Sequence, residues 1–291
     1  MTPPELSVVI VSYRCTDLLD ECLASIDANR GDVLMEVEVV DNASGDDTMG
    51  VVRRYPWVTV TALDQNVGFA RANNIGIARA GGRAVLVLNP DTVVPPGALR
   101  TLLDHLWAHP DIGVLTPRLV DRRGRLDRRC HRGFPTLWGS FCYFTSLDRR
   151  LRGRRSRRYT MGHLPDDQPA DVEAVSGAFM LMPAEALRQV GVFDERFFMY
   201  AEDIDLSLRF IDAGYRVHYW PAVDVVHVGA GSSVAGMRPP AADAAYFRTM
   251  APFVRKHRRG LRGAALAGAV WVVGEAMLGA SRVRRALRRG P

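Results

Sequence analysis

The chain is 291 residues long, 47% hydrophobic and 24% charged, an ordinary globular composition with room for one large α/β domain or two closely packed halves. A formal charge of +6 favours anionic partners such as membrane lipid, nucleic acid or phosphates. Cys15, Cys22, Cys130 and Cys142 show no CxxC or zinc-ligand spacing, so a zinc site is set aside and a reducing, cytoplasmic compartment is expected. The start, "MTPPELSVVIVSY", lacks a basic region and has too short an apolar run for a signal peptide. Lys256 is the single lysine among the basic residues, and the rest are arginine. That bias matches a GC-rich genome, so an arginine here is weaker evidence of phosphate recognition than usual.

The first ninety residues alternate strand and helix. "LSVVIVSY" predicts a buried strand, and Leu18, Leu19, Cys22, Leu23 and Ile26 form one face of a helix. "MEVEVVDN" predicts a strand, "DDTMGVVRRY" a short helix, "VTVTALD" a strand, "FARANNIGIARA" a helix and "RAVLVLN" a strand. Such alternation implies a parallel sheet with right-handed crossovers. "PPGALRTLLDHLWAH" is a further helix, its prolines suited to the first turn. After residue 112 the pattern changes to a strand and hairpin in "GVLTPRLVDRRGRL". Residues 131–170 read as irregular and contain "RRLRGRRSRR", either a solvated loop or a surface for membrane phosphates or an anionic acceptor. Beyond them, "DIDLSLRFIDAG" is a helix stopped by Gly214, "YRVHYW" and "VDVVHV" are short strands, and the chain reads as helical from about residue 240.

Several strands end in polar residues at the edge where a parallel sheet presents its ligands. These are Ser12, then Asp41 and Asn42, then Asn89, Pro90 and Asp91, with Asn66, Gly68, Arg71 and Asn73 at another strand-to-helix turn. Each has a bland explanation as a turn or a helix cap. Their convergence on one edge is harder to dismiss. Neither GxxxxGK[ST] nor GxGxxG occurs in these turns, so the edge is neither a P-loop nor a dinucleotide fingerprint. Asp91 could cap a turn or help hold a cation, but one carboxylate alone is a poor metal site. "AEDID" supplies Glu202, Asp203 and Asp205 at a helix start, where acidic residues also serve the helix dipole.

"SVVIVSY", "VVDNASGDDT", "NVGFARANNIGI", "LNPDTVV", "SGAFMLMPAEALRQVGVFDERFFMYAEDIDLSLR" and "HVGAGSS" together resemble the successive motifs of family 2 glycosyltransferases, most of all their bacterial rhamnosyltransferase-like branch. The resemblance spans roughly residues 5–235. It implies a GT-A fold: a mixed, mainly parallel sheet flanked by helices, here with a helical basic C-terminal tail. The expected organisation is a catalytic domain over 1–235, with a nucleotide-binding half to about residue 91 and an acceptor half over 92–235, then an extension over 236–291. The resemblance further implies a nucleotide-sugar donor, a divalent cation (Mn²⁺ or Mg²⁺) and inversion at the anomeric carbon. It puts Asn89 where the family's Asp-x-Asp carries its first aspartate, and gives Asp91 and His227 as the protein ligands of the cation. Asp203 is implied as general base, with Glu202 orienting the acceptor or supporting the loop, while His218 reads as structural. Asp41 is implied against a pyrimidine edge, with Ser12 and Tyr13 along its face. Uracil and thymine present the same N3–H, so Asp41 does not separate UDP from dTDP. The branch suggests dTDP-L-rhamnose, with a UDP-hexose as the alternative, and a glycan or polyprenyl-linked acceptor.

A sugar-nucleotide pyrophosphorylase would carry a Gly-rich basic loop after the first strand, where "SYRCTDLLD" stands instead. No nucleic-acid partner is expected, because the basic residues concentrate in a loop and the tail rather than on a recognisable binding motif. The tail segment "GAALAGAVWVVG" falls short of the ~20 apolar residues a spanning helix needs, and the arginine-rich "SRVRRALRRG" closes the chain. The expectation is an in-plane helix on an anionic membrane, the protein lying peripherally on the inner face of the bacterial plasma membrane; an ordinary packed helix is the alternative.

Overall fold

The computed structural model describes residues 3–134, 153–229 and 240–257, together with residues 136, 138, 139, 142, 147, 150, 151, 267, 268, 270–272 and 275. The first half follows the expected alternation: β1 (Leu6–Ser12), α1 (Thr16–Asp27), β2 (Met35–Asp41), α2 (Thr48–Val52), β3 (Val58–Ala62), α3 (Phe69–Ile77) and β4 (Ala84–Leu88). β1 is a β-branched run buried at every position, and it pairs in parallel with β2 on one side and β4 on the other. β2 in turn pairs in parallel with β3. Leu19, Cys22, Leu23 and Ile26 form the buried stripe of α1, and all four cysteines are free thiols.

The second half comprises β5 (Thr92–Val93), α4 (Ala98–Ala108), β6 (Ile112–Val120), β7 (His131–Arg132), α5 (Arg154–Arg157), β8 (Ala170–Asp171), β9 (Ala174–Val175), β10 (Phe179–Pro183), α6 (Ala184–Val190), α7 (Glu202–Asp212), β11 (Arg216–His227) and α8 (Pro240–His257). The main sheet runs in the order β3-β2-β1-β4-β10-β6-β11-β5, with β8 on β11, and β7 pairs with β9 in a separate ribbon. β10 lies antiparallel between β4 and β6, so the sheet is mixed though mainly parallel. "GVLTPRLVDRRGRL" forms β6 and a tight return that bridges Val120 to Leu126.

One expectation is corrected. The two short strands expected over 215–220 and 223–228 are a single strand, β11, whose register breaks between Tyr219 and Asp224. Pro221, which has no N–H to give a ladder, sits in that break, so the sequence reads as two strands where the backbone makes one. α7 stops at Gly214 (φ 89°), as expected.

α8 packs on the rest through a second apolar cluster, in which Met250, Ala251, Phe253 and Val254 meet Phe197, Ala201 and Ile204. The closing segment "SRVRRALRRG" and much of "GAALAGAVWVVG" lie outside the described residues. Among the described residues no helix is long and apolar enough to cross a membrane.

Candidate active site

The polar strand ends meet in one cleft. Tyr13 after β1, Asn42 after β2, Asn66 and Gly68 before α3, Asn89 after β4, Glu202 and Asp203 on α7, and His227 at the end of β11 all line it. The turn after β2 is joined to the one before α3 by side-chain amides. Asn42 Oδ1 accepts from the Val67 N–H at 2.9 Å, and its Nδ2 donates to Asn66 Oδ1 at 3.1 Å. Asn66 Oδ1 also accepts from the Gly68 N–H at 2.9 Å. Gly68 needs to be glycine on two counts: its φ is 87°, and a Cβ would lie 2.5 Å from the Phe198 carbonyl oxygen.

Other expected residues lie beneath or beside the cleft. Ser12 is fully buried, with its carbonyl accepting from the Asn42 N–H at 2.9 Å. Asp41 is almost buried and its Oδ1 accepts from the Ser44 N–H at 3.1 Å. Asn73 is buried within α3, where its Nδ2 donates back to the Phe69 carbonyl at 2.9 Å. Arg71 is largely exposed and lies 3.8 Å from Glu195. Neither Arg71 nor Asn73 lines the cleft. His218 is held by Asp171 at 2.7 Å, away from the cleft, in keeping with a structural role.

Asp91 and His227 are 136 positions apart, yet the fold makes them neighbours. Asp91 directly precedes β5, and β5 pairs antiparallel with β11 so that Thr92 stands opposite His227. The Val228 N–H donates to the Asp91 carbonyl at 2.8 Å and the Gly229 N–H to Asp91 Oδ2 at 3.2 Å. As a result His227 Nε2 lies 3.4 Å from Asp91 Oδ1, both side chains being buried. The other imidazole nitrogen, Nδ1, is 2.8 Å from Asp127 Oδ2. Arg129 holds Asp127 in turn, with Nε and Nη2 at 2.9 and 2.8 Å. Burial disfavours the imidazolium, but hydrogen bonds to Asp127 and Asp91 outweigh it and carry the His227 pKa up to about 9. Burial likewise disfavours the Asp127 carboxylate, and His227 and Arg129 nevertheless hold its pKa far below the usual range.

Carboxylate oxygen and imidazole nitrogen side by side, with the second ring nitrogen fixed by another carboxylate, is a donor set that fits Mn²⁺ or Mg²⁺. Among the described residues no group of three or more His, Cys, Asp or Glu is placed to hold a metal. A cation here therefore needs further ligands from outside this set.

The opposite wall is the start of α7. Tyr200 and Ala201 both have φ 71°, left-handed values that cost non-glycine residues roughly 1–3 kcal/mol each. The turn they make delivers Glu202 and Asp203 to the cleft. Asp203 Oδ2 is ion-paired with Arg132 and accepts from the Gly177 N–H at 3.1 Å, while Oδ1 accepts from the Ile204 N–H at 2.8 Å. Glu202 is buried, and its Oε2 has no hydrogen-bond partner among the described residues. Burial, then the adjacent Asp203 charge, raise the Glu202 pKa well above the ordinary carboxyl value. Asp205, the third carboxylate of "AEDID", is fully buried and turned to α8, where Lys256 and His257 bind it. Sequence reading missed Asp127, Arg129 and Arg132. They sit in "DRRCHR", one of many arginine-rich stretches, and nothing local marks them.

A mainly parallel sheet with polar turns, a carboxylate–imidazole pair and a carboxylate-bearing helix start at one cleft defines a transferase of the GT-A fold. The chain belongs to glycosyl transferase family 2, whose family model matches residues 7–169, and it is a glycosyltransferase. It is 32% identical over 268 residues to the N-acetylglucosaminyl-diphospho-decaprenol L-rhamnosyltransferase of Mycobacterium tuberculosis (strain ATCC 25618 / H37Rv), covering 88% of this chain and 85% of that protein. It is 27% identical over 227 residues to rhamnosyltransferase WbbL of Escherichia coli (strain K12), covering 76% of this chain and 82% of that one. In fold it is similar to the mannosyltransferase PcManGT from Pyrobaculum calidifontis, solved in complex with GDP-Man and Mn²⁺, with a TM-score of 0.61, 21% identity and coverage of 100% of this chain and 77% of that chain.

Proposed function

We propose that this protein transfers L-rhamnose from dTDP-L-rhamnose to a hydroxyl of a lipid-linked cell-envelope glycan, by single displacement with inversion. The observation that carries the reading is one cleft lined by His227, with Asp91 buried beside it, and by Glu202 and Asp203. The two rhamnosyltransferase relatives support the donor sugar, and the mycobacterial relative's lipid-diphosphate acceptor supports the acceptor class.

In this reading Asp41 takes the N3–H of the pyrimidine through Oδ2, Oδ1 being engaged by Ser44. Ser12 and Tyr13 shape the pocket along the base, and Asn42, Asn66 and Gly68 fix its rim. Asp91 and His227 would hold a divalent cation, which would supply charge neutralisation at the departing diphosphate. Asp127 keeps His227 turned with Nε2 towards that position. Asp203 accepts the acceptor hydroxyl's proton as the new bond forms, and Gly177 and Ile204 hold its two oxygens in place. Glu202, whose pKa burial and the Asp203 charge both raise, orients the acceptor beside the base. The protein works peripherally at the inner membrane face, where its acceptor lies.

A donor screen by nucleotide release tests the reading, followed by trial lipid-linked acceptors. dTDP-L-rhamnose with Mn²⁺ or Mg²⁺ should give the highest turnover. Preference for a UDP-hexose would move the donor while keeping the class. Failure of every nucleotide sugar, across both metals and several acceptors, would overturn it.

A further inference from the structure

The segment from Asp194 to Asp205 carries the carboxylates of the acceptor wall. Within it lie Met199 and Tyr200, which line the cleft, the two left-handed residues, and Glu202 and Asp203. An aspartate stands at each end, and one ammonium group joins them. Lys256 Nζ, on the last turn of α8, is 2.7 Å from Asp194 Oδ2 and 2.6 Å from Asp205 Oδ1. Asp205 is fully buried and is also bound by His257 Nε2 at 2.7 Å and Arg209 Nε at 3.0 Å. Below this junction Phe253 and Val254 of α8 belong to the same apolar cluster as Phe197, Ala201 and Ile204.

We infer that Lys256 is a positioning residue for the catalytic turn, closing the Asp194–Asp205 segment so that Glu202 and Asp203 stay in the cleft. The inference rests on the proposed role of Asp203 as base. Two observations point the same way. Consecutive left-handed residues at Tyr200 and Ala201 persist only where their surroundings over-determine them, and a tie across both ends of the segment supplies that constraint. Lysine is also the residue type this chain otherwise avoids, every other Lys/Arg position being arginine. A compact ammonium with three donors fits between two converging carboxylates, whereas a planar guanidinium imposes its fork.

The test uses the full chain and the variants Lys256→Met, Lys256→Arg, Asp194→Asn and Arg196→Gln. Turnover, donor KM and amide hydrogen exchange are measured for each. Lys256→Met should lower kcat by ~10–100-fold, the scale of a small misplacement of catalytic groups, with donor KM changed less than about threefold. Exchange should accelerate across 194–203 and stay unchanged in β1, β2 and β4. Lys256→Arg should fall between Lys256→Met and the native protein. Asp194→Asn leaves the buried Asp205–Lys256 contact intact and weakens the pairs of Asp194 with Lys256 and with Arg196, so it should show the same local acceleration more weakly, while Arg196→Gln, which removes the Arg196 pair alone, should not; the two together decide the matter if Lys256→Met does not fold. Unchanged exchange over 194–203, acceleration throughout the sheet, or unchanged kcat despite local loosening would each overturn the inference. If the native protein transfers no sugar, the assignment of the base has failed, and the exchange measurements still decide the tie.

Discussion

The two walls of the cleft are built by different means. On the donor wall, the turns after β1 and β2 and the turn before α3 are held mostly by backbone groups and by the amides of Asn42 and Asn66, with one bond from outside, the Phe69 N–H donating to the Phe198 carbonyl at 2.7 Å. On the acceptor wall, the carboxylates of α7 are held by side chains brought from far along the chain: Arg132 on Asp203, and Lys256 and His257 on Asp205. A wall made of parallel strand ends is fixed as soon as the sheet forms. A wall held by contacts from distant segments depends on the docking of other elements, and in the proposed reading it is the wall that receives the acceptor. Between them, Asp91 and His227 form a seam through the pairing of β5 with β11.

Breaking the seam should have the largest effect. Asp91→Ala and His227→Ala are each expected to abolish transfer and to remove metal-dependent nucleotide binding while leaving a folded protein. Turnover, and calorimetric titration of dTDP with and without Mn²⁺, check this. Full activity of His227→Ala across Mn²⁺ concentrations would show that the seam holds no cation. On the acceptor wall, Asp203→Asn should cost about 10²–10⁴-fold in kcat and change donor affinity by less than roughly threefold, since a general base acts as the transition state forms. Asp205→Asn should separate the other way. It removes a buried carboxylate from Arg209, Lys256 and His257, so a stability loss of ~3–5 kcal/mol is expected in denaturant titrations, with kcat per folded molecule nearly kept. An inactive but fully stable Asp205→Asn would exchange the roles of the two aspartates.

The same contrast decides what could be read from the sequence. The donor wall was legible because Ser12, Asp41 and Asn42 end apolar runs, and strand ends on one edge are neighbours by topology. The acceptor carboxylates were legible as residues but not as roles. Glu202, Asp203 and Asp205 look equivalent in "AEDID", and only the helix geometry turns the first two to the cleft and the third to α8. Arg71 and Asn73 share a strand-to-helix turn with Gly68 in the sequence, yet α3 points one to solvent and buries the other. Asp127 carried no local signal at all, because its partner His227 lies 100 positions away.

Asp127 sharpens the comparison at a smaller scale. It touches no cleft-lining surface of its own and acts by fixing the ring of His227, so Asp127→Asn should weaken Mn²⁺ affinity by about 10–100-fold without abolishing turnover at saturating metal. Manganese titration followed by electron paramagnetic resonance measures this directly. An unchanged affinity would mean that the strand pairing alone orients the imidazole.

The smallest effect is expected at Glu202, and it concerns stability rather than rate. In the folded protein its pKa is raised well above 4.5, first by burial and then by Asp203, while in the unfolded chain it returns to the ordinary value. The sign follows from linkage: at low pH both states are protonated and Glu202 costs nothing, and as pH rises above 4.5 the unfolded state loses its proton first. The folded state is therefore progressively destabilised until pH passes the raised value. Glu202→Gln keeps the shape and removes the titration. The difference in unfolding free energy between the variant and the native protein should be near zero around pH 4 and move in the variant's favour towards neutrality. Amide-for-carboxyl replacement also keeps a hydrogen-bonding group beside the acceptor, so turnover should fall less than for Asp203→Asn. A stability difference independent of pH would mean that Glu202 ionises normally in the cleft, and the acceptor wall would then carry one more full negative charge than its geometry implies.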